Sequence, residues 1–284
     1  MRAPWRSVRY LPAPVPLALT HLPVPEPLST YVAELYILRG EVAGPLHDIL
    51  FAHGALELVV NVGLCFDGHR ARPASEAKLI GQIIRPVPTA LSGAGFSFGA
   101  VLRPAGVAAL LGRGAQRLND RELELERLPA ASLQRALRPA LERGDFTRAA
   151  EVLLASFERG LRADRRAADH ARLVARAVSA LEEYGHAGAG AVASVDTGLG
   201  VSTRLLTRAF RQQVGLSVSP YRRIRRFDDA VHRLRARRHT RLTDLAYSSG
   251  YFDQAHFNRD VRYFTGHAPR SLQALARPLA EVYA

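Results

Sequence analysis

The chain has 284 residues, 39 Lys and Arg against 26 Asp and Glu, and a formal charge of +13. With 48% of its residues hydrophobic it can bury a full core and divide into two domains. A single cysteine, Cys65, excludes an intramolecular disulfide and a cysteine-based zinc site. No apolar run reaches the roughly eighteen residues of a membrane span, and Met1–Tyr10 is too polar for a signal peptide, so a soluble, cytoplasmic protein is expected.

The charge is uneven: residues 166–284 carry a net +9 and residues 1–165 a net +4. Basicity gathered in the C-terminal part favours a polyanionic partner, although charge alone does not separate nucleic acid from an acidic membrane. Lys78 is the one lysine among the basic residues. Coding preference explains such a bias, so the positions of the arginines carry more than their number.

In chain order, the first thirty residues are rich in proline (Pro12, Pro14, Pro16, Pro23, Pro25, Pro27) and are expected to run extended around the first domain. From Tyr31 to about Val101 short β-branched runs follow: Tyr31–Leu38, Leu56–Val62, Leu79–Ile84 and Phe96–Leu102. Glycine and proline punctuate them at Gly40, Gly44–Pro45, Gly63, Gly68, Pro86–Pro88 and Gly93–Gly95, a spacing that predicts an antiparallel sheet or small barrel. After Pro104 the period becomes helical, with helices expected over Ala105–Leu111, Pro129–Leu141 and Phe146–Arg162. The charged stretch Arg162–Asp169 is the expected boundary, dividing a β-rich sensor or dimerisation domain (1–165) from a DNA-binding domain (166–284). A helix from Ala171 to Tyr184 opens the second domain.

Two tandem units then repeat one pattern: short apolar helix, glycine turn, polar helix. In the first, Ala191–Thr197 is the short helix and Gly198–Val201 the turn. Ser202 is suited to cap the following helix, which runs to Val214. Leu206, Phe210 and Val214 fall at helical spacing and should face the core, leaving Arg204, Thr207, Arg208 and Arg211 on the other faces. Arginine matches the guanine edge bidentately, and threonine meets a base edge or a thymine methyl. In the second unit Leu242–Ser249 is the short helix, Gly250 the turn and Asp253 the cap. Phe257 and Val261 point inward, while Gln254, His256, Asn258 and Arg259 are candidates for base or backbone contact. Arg262 and Arg270 suit phosphates, which position a protein without specifying sequence. Gly215 and Gly266 close the two polar helices. Between the units Pro220–Arg237 reads as one continuous helix, some of whose arginines (Arg222, Arg223, Arg225, Arg226, Arg233) reach phosphates in this reading.

The second unit, Leu245-Ala246…Gly250-Tyr251-Phe252-Asp253-Gln254-Ala255-His256-Phe257…Arg259…Gly266-His267-Ala268-Pro269, resembles the signature of the arabinose-operon regulator (AraC/XylS) family of bacterial transcription factors. The first agrees at Gly200, Ser202, Leu206, Arg208, Phe210 and Gly215, and Tyr221, Arg226 and Ala230 fit the linker helix. The resemblance, over about residues 170–275, implies two helices entering adjacent major grooves. It places Arg204, Thr207 and Arg208 of one unit and Gln254, His256 and Arg259 of the other against bases. Three positions depart from the family: Asp196 replaces a small alanine, Val218 a proline and Val261 a phenylalanine. More loosely, His53–Asn61 and the Gly81…Arg85-Pro86 region are similar to an uncharacterised β-rich sensor-like subgroup.

Plainer readings stand beside these. Solvated faces or ion pairs account for arginines on helices, and His256 suits packing or capping as well as DNA. His53, Glu57 and His47 could mark a cupin-like metalloenzyme carrying a DNA-binding tail, yet no His-x-His pair accompanies them. Cys65, among apolar strand residues, reads as a buried, inert thiol. The expectation is therefore an α+β protein: an N-terminal antiparallel β-rich, barrel-like domain with accessory helices, and an all-α C-terminal domain with two helix-turn-helix units. It is expected to be a non-enzymatic, sequence-specific transcriptional regulator without metal or cofactor. Candidate partners are double-stranded DNA, a small-molecule effector, RNA polymerase and a second copy of the chain, with no membrane partner.

Overall fold

A computed structural model describes residues 17–67, 77–111, 114–127, 131–183, 198–236 and 241–271. Alternation of apolar and polar residues builds a six-stranded antiparallel sheet of order β1-β2-β5-β3-β4-β6. The strands are β1 (Leu17–Leu22), β2 (Val32–Leu50), β3 (Leu56–Asp67), β4 (Ala77–Ile80), β5 (Val87–Leu102) and β6 (Glu122–Glu124). The sheet is open, with β1 and β6 at its edges, rather than closed into a barrel.

Of the proline-rich lead-in, residues 1–16, with Pro12, Pro14 and Pro16, lie outside the described residues, and the remainder is not simply extended. Leu17–Leu22 pairs with β2 at one edge, and Pro25 and Pro27 bracket the start of the one-turn helix α1 (Glu26–Ser29), where a missing N–H costs nothing. Several expected breaks also lie inside long strands. Register shifts fall between Val42 and Leu46 of β2 and around Gly63 of β3, where bulges bend a sheet. Gly63, Gly93 and Gly95 (φ +78°, +94° and +151°) bring β3 and β5 backbone to backbone there. A Cβ on Gly63 would lie 2.2 Å from the Ala94 carbonyl oxygen, and one on Gly95 2.0 Å from that of Val62.

One sheet face, with Leu35, Ile37, Leu58, Val60, Phe98 and Ala100, packs on the helices α2 (Pro104–Leu111), α3 (Ala131–Glu142) and α4 (Phe146–Ala163). Phe157 and Leu153 of α4 are fully buried in that core. The opposite face carries a smaller cluster of Tyr36, Leu38, Val42, Leu46, Leu64 and Leu91. Cys65 pairs with Ser92 across β3 and β5, and its side chain lies outside the described residues.

The charged stretch Arg162–Asp169 is mostly helical. Helix α4 ends at Ala163, Asp164 breaks the chain, and α5 runs Arg165–Glu183, six residues earlier than its apolar period suggested. Its first turns place Ala167 and Ala171 against Ala108 of α2. Its later turns give Val174, Ala177 and Leu181 to the C-terminal core. There they meet α6 (Thr203–Gln213), α7 (Val218–Ala236), α8 (Leu242–Ser248) and α9 (Gln254–Thr265). Phe227 lies at the centre, edge-on to Phe51 from the end of β2 and tilted against Phe264. The first short helix of unit one, with Asp196, lies outside the described residues. No described helix is long and apolar enough to cross a membrane.

Candidate nucleic-acid interface

Helix α6 starts because the Ser202 side chain accepts a hydrogen bond from the Leu205 amide (3.3 Å), satisfying one of the first-turn donors that no carbonyl can reach. Helix α9 starts in the same way, with Asp253 accepting from the His256 amide at 2.6 Å. Both follow a left-handed glycine, Gly200 (φ +65°) and Gly250 (φ +75°), and both end at one, Gly215 and Gly266. Leu206, Phe210 and Val214 are buried from α6, as are Phe257 and Val261 from α9. Burial of these faces turns the polar faces outward.

On α6, Arg204, Arg208 and Arg211 are exposed and Thr207 half-buried, at i, i+4, i+7 and i+3 along one stripe. With Thr203, Gln212 and Gln116 of the N-terminal domain they line a groove of about 500 Å³. On α9, Gln254, Arg259 and Arg262 are exposed, and Asn258 is half-buried with its Oδ1 buried and unpartnered. Gln254 Oε1 accepts from the Thr243 hydroxyl of α8 at 3.0 Å. Among the described residues, no carboxylate pairs with Arg204, Arg208, Arg211, Arg259 or Arg262.

His256 is placed differently. It is half-buried, edge-on to Tyr251, with Nε2 3.0 Å from Arg226 Nη2. Burial and then the Arg226 charge hold its pKa below the ordinary value, so the ring is neutral and its Nε2 accepts from Arg226. One ring nitrogen is thus committed inside the domain.

Four arginines of α7 that the sequence offered to phosphates, Arg223, Arg225, Arg226 and Arg233, each pair with a carboxylate. Asp260 of α9, 2% exposed, accepts from Arg223 Nε (2.7 Å) and Arg226 Nη2 (3.2 Å). Arg223 lies over Tyr263 and Arg226 over Tyr251, each 4.3 Å from the ring centroid. Arg233 pairs with Asp229 along the same helix. Arg225 pairs with Asp228 (2.9 Å) and donates to the His53 carbonyl of the N-terminal domain (3.2 Å). Gly54 leaves room for that arginine, since a Cβ there would lie 2.4 Å from Arg225 Cδ.

Unit one is also tied to the N-terminal domain. Asn119 Nδ2 donates to the Gly215 carbonyl at 2.9 Å. Within the C-terminal part, His170 Nδ1 of α5 stands 2.7 Å from Gln212 Oε1. Asp260, Asn119 and Gly54 had no local signal in the sequence: each acts through a partner at least 34 positions away. Elsewhere in the N-terminal domain, Tyr36 donates a hydrogen bond to Glu57, and Ser97 to Asn61 at 2.7 Å. No group of three His, Cys, Asp or Glu among the described residues is placed to hold a metal ion.

Two capped helices behind glycine turns, joined by a long helix and carrying exposed arginines, define a helix-turn-helix DNA-binding domain. The family comparisons agree: residues 197–274 match the helix-turn-helix domain family, and residues 20–124 match a domain of unknown function (DUF6597). The chain therefore carries an AraC-type helix-turn-helix domain at its C-terminal end and is a DNA-binding transcriptional regulator. No curated protein matches its sequence. Solved structures of ToxT from Vibrio cholerae are similar at low identity. That from strain O395 has a TM-score of 0.42 at 9% identity, over 88% of this chain and 99% of that one. The O395 protein bound to (E)-4-(8-methylnaphthalen-1-yl)but-3-enoic acid has 0.44 at 12%, over 85% and 98%.

Proposed function

We propose that α6 and α9 read bases in two adjacent major grooves, through Arg204, Thr207 and Arg208 on one helix and Gln254 and Arg259 on the other, with Arg211, Asn258 and Arg262 contacting base edges or the backbone beside them. His256 serves α9 chiefly by packing. The observation that carries this reading is the contrast among the arginines: Arg223, Arg225, Arg226 and Arg233 of α7 are paired with Asp228, Asp229 and Asp260, whereas Arg204, Arg208, Arg211, Arg259 and Arg262 are exposed and have no carboxylate partner among the described residues. Linker helix α7, 19 residues long, spans about 28 Å at 1.5 Å per residue, against about 34 Å between successive grooves on one face of DNA.

In this reading residues 166–284 bind DNA and residues 1–165 sense a small molecule or dimerise, in the cytoplasm and without catalysis. A signal from the N-terminal domain has a direct path to the DNA, because Asn119 touches the end of α6 and the His53 carbonyl the middle of α7. RNA polymerase and a second copy of the chain are the further partners proposed.

The test is base preference, measured by competition binding over single-base variants of a selected duplex. Arg208→Ala should relax preference in one block and Arg259→Ala in the other, each by about 10-fold or more at the affected base pair. Loss of affinity with unchanged preference in both variants would assign these side chains to phosphates instead.

A further inference from the structure

Three large hydrophobic side chains are exposed among the described residues: Tyr247 at 60%, Phe252 at 85% and Tyr263 at 52%. Tyr263 has the Arg223 guanidinium over its ring, and both tyrosines keep a hydroxyl for water. Phe252 has no polar atom to offer. It stands between Tyr251, 3% exposed, and Asp253, the N-cap of α9. The left-handed turn at Gly250 sends the tyrosine into the core and leaves the phenylalanine outside. An isolated apolar side chain on a surface needs no explanation. This one lies in the turn two residues before α9, at the end that leads a reading helix into the groove, near the exposed Gln254 and ahead of the helix that carries Arg259 and Arg262, which have no carboxylate partner among the described residues.

In the major groove one base pair component offers an apolar group at its edge, the thymine 5-methyl. We propose that Phe252 is a specificity-determining residue that packs on a thymine 5-methyl in the block read by the second unit. The inference rests on the reading of α9 as a base-reading helix. A phenyl ring has no donor for phosphate, so its contribution is to sequence preference and leaves the salt dependence of binding unchanged.

The experiment uses the full-length chain and the duplex it enriches from a randomised library, with each thymine of the second block replaced in turn by deoxyuridine, which lacks only the methyl group. At one position the replacement should weaken wild-type binding about fourfold, the cost of exposing one buried methyl. Phe252→Ala should weaken binding to the thymine duplex by at least that factor and be indifferent to the replacement. Phe252→Leu should keep part of the discrimination. Neither variant should shift Tm, because the ring is exposed, nor change the slope of log Kd against log salt. Arg259→Ala is measured alongside. If Arg259→Ala loses preference in that block while Phe252→Ala discriminates as wild type does, the role of Phe252 is overturned and base reading by α9 stands. If neither variant changes preference, α9 does not read bases and both fall together.

Discussion

Arg208 and Arg226 lie on neighbouring helices and do opposite work. Arg208 is exposed on α6 with no carboxylate partner among the described residues, whereas the Arg226 side chain, 16% exposed, is held among Asp260, His256 and the Tyr251 ring. Removing one partner of a buried charge leaves the other poorly solvated and costs far more than losing a surface charge. Arg226→Ala should therefore lower stability by about 2 kcal/mol, with Arg223 still paired to Asp260, while Arg208→Ala stays within about 0.5 kcal/mol. Urea unfolding with unchanged m-values would measure both, and equal losses would contradict the division of labour. Glu57 makes a second residue-level case. Burial, helped by the nearby Glu34 and Glu122, raises its pKa from 4.5 to about 6, against the Tyr36 hydroxyl, whose hydrogen bond to the carboxylate lowers it. Because the folded pKa lies above the unfolded one, its contribution to stability is full below pH 4.5 and is lost as pH rises through 6. Relative to Glu57→Gln, the wild-type chain should lose stability across that window; parallel pH profiles would show that Glu57 is not the group responsible. Neither Asp260 nor Tyr36 could be matched to its partner from sequence, because helical and strand periods say which face a residue occupies but not what lies opposite.

At the scale of elements, local chemistry was legible and long-range pairing was not. Ser202 and Asp253 declare the starts of α6 and α9, because a cap acts within three residues. The strands were harder. Gly40, Gly44 and Gly93–Gly95 carry the composition of turns, yet they sit within β2 and β5, where bulges and close backbone approach call for the same residue. Their strands are held by register across the sheet, information absent from any one segment. The glycines that close or precede α6 offer a test of the same distinction. Gly200 (φ +65°) has nothing within 4 Å of a built Cβ, so Gly200→Ala should cost about 1 kcal/mol, the strain of the left-handed backbone alone. At Gly215 (φ +86°) a Cβ would lie 2.4 Å from Asn119 Oδ1 and 3.0 Å from the Ala115 carbonyl oxygen. Gly215→Ala should cost at least about 1 kcal/mol more than Gly200→Ala, since it adds a clash to that strain. Thermal unfolding of the two variants compares them, and equal shifts would mean that the contact with Asn119 yields without cost.

In the whole molecule the two halves share structure rather than meeting at a bare linker. Helix α5 packs Ala167 and Ala171 on α2 and gives Val174, Ala177 and Leu181 to the C-terminal core, which also receives Phe51 from the sheet domain. Asn119 and the His53 carbonyl then hold the end of α6 and the middle of α7. That DNA binding belongs to the C-terminal part was legible from the charge gradient and the repeat. The shared helix was not, because Arg162–Asp169 reads as a charged linker while its alanines fit a close helix–helix contact. The central claim is that one chain presents two reading helices to one face of a duplex. DNA selection from a random library with the full-length protein, at two salt concentrations, tests it most directly. The account predicts a motif of two blocks about one helical turn apart, with affinity falling steeply as salt rises. A single enriched block, or none at either salt concentration, would contradict it.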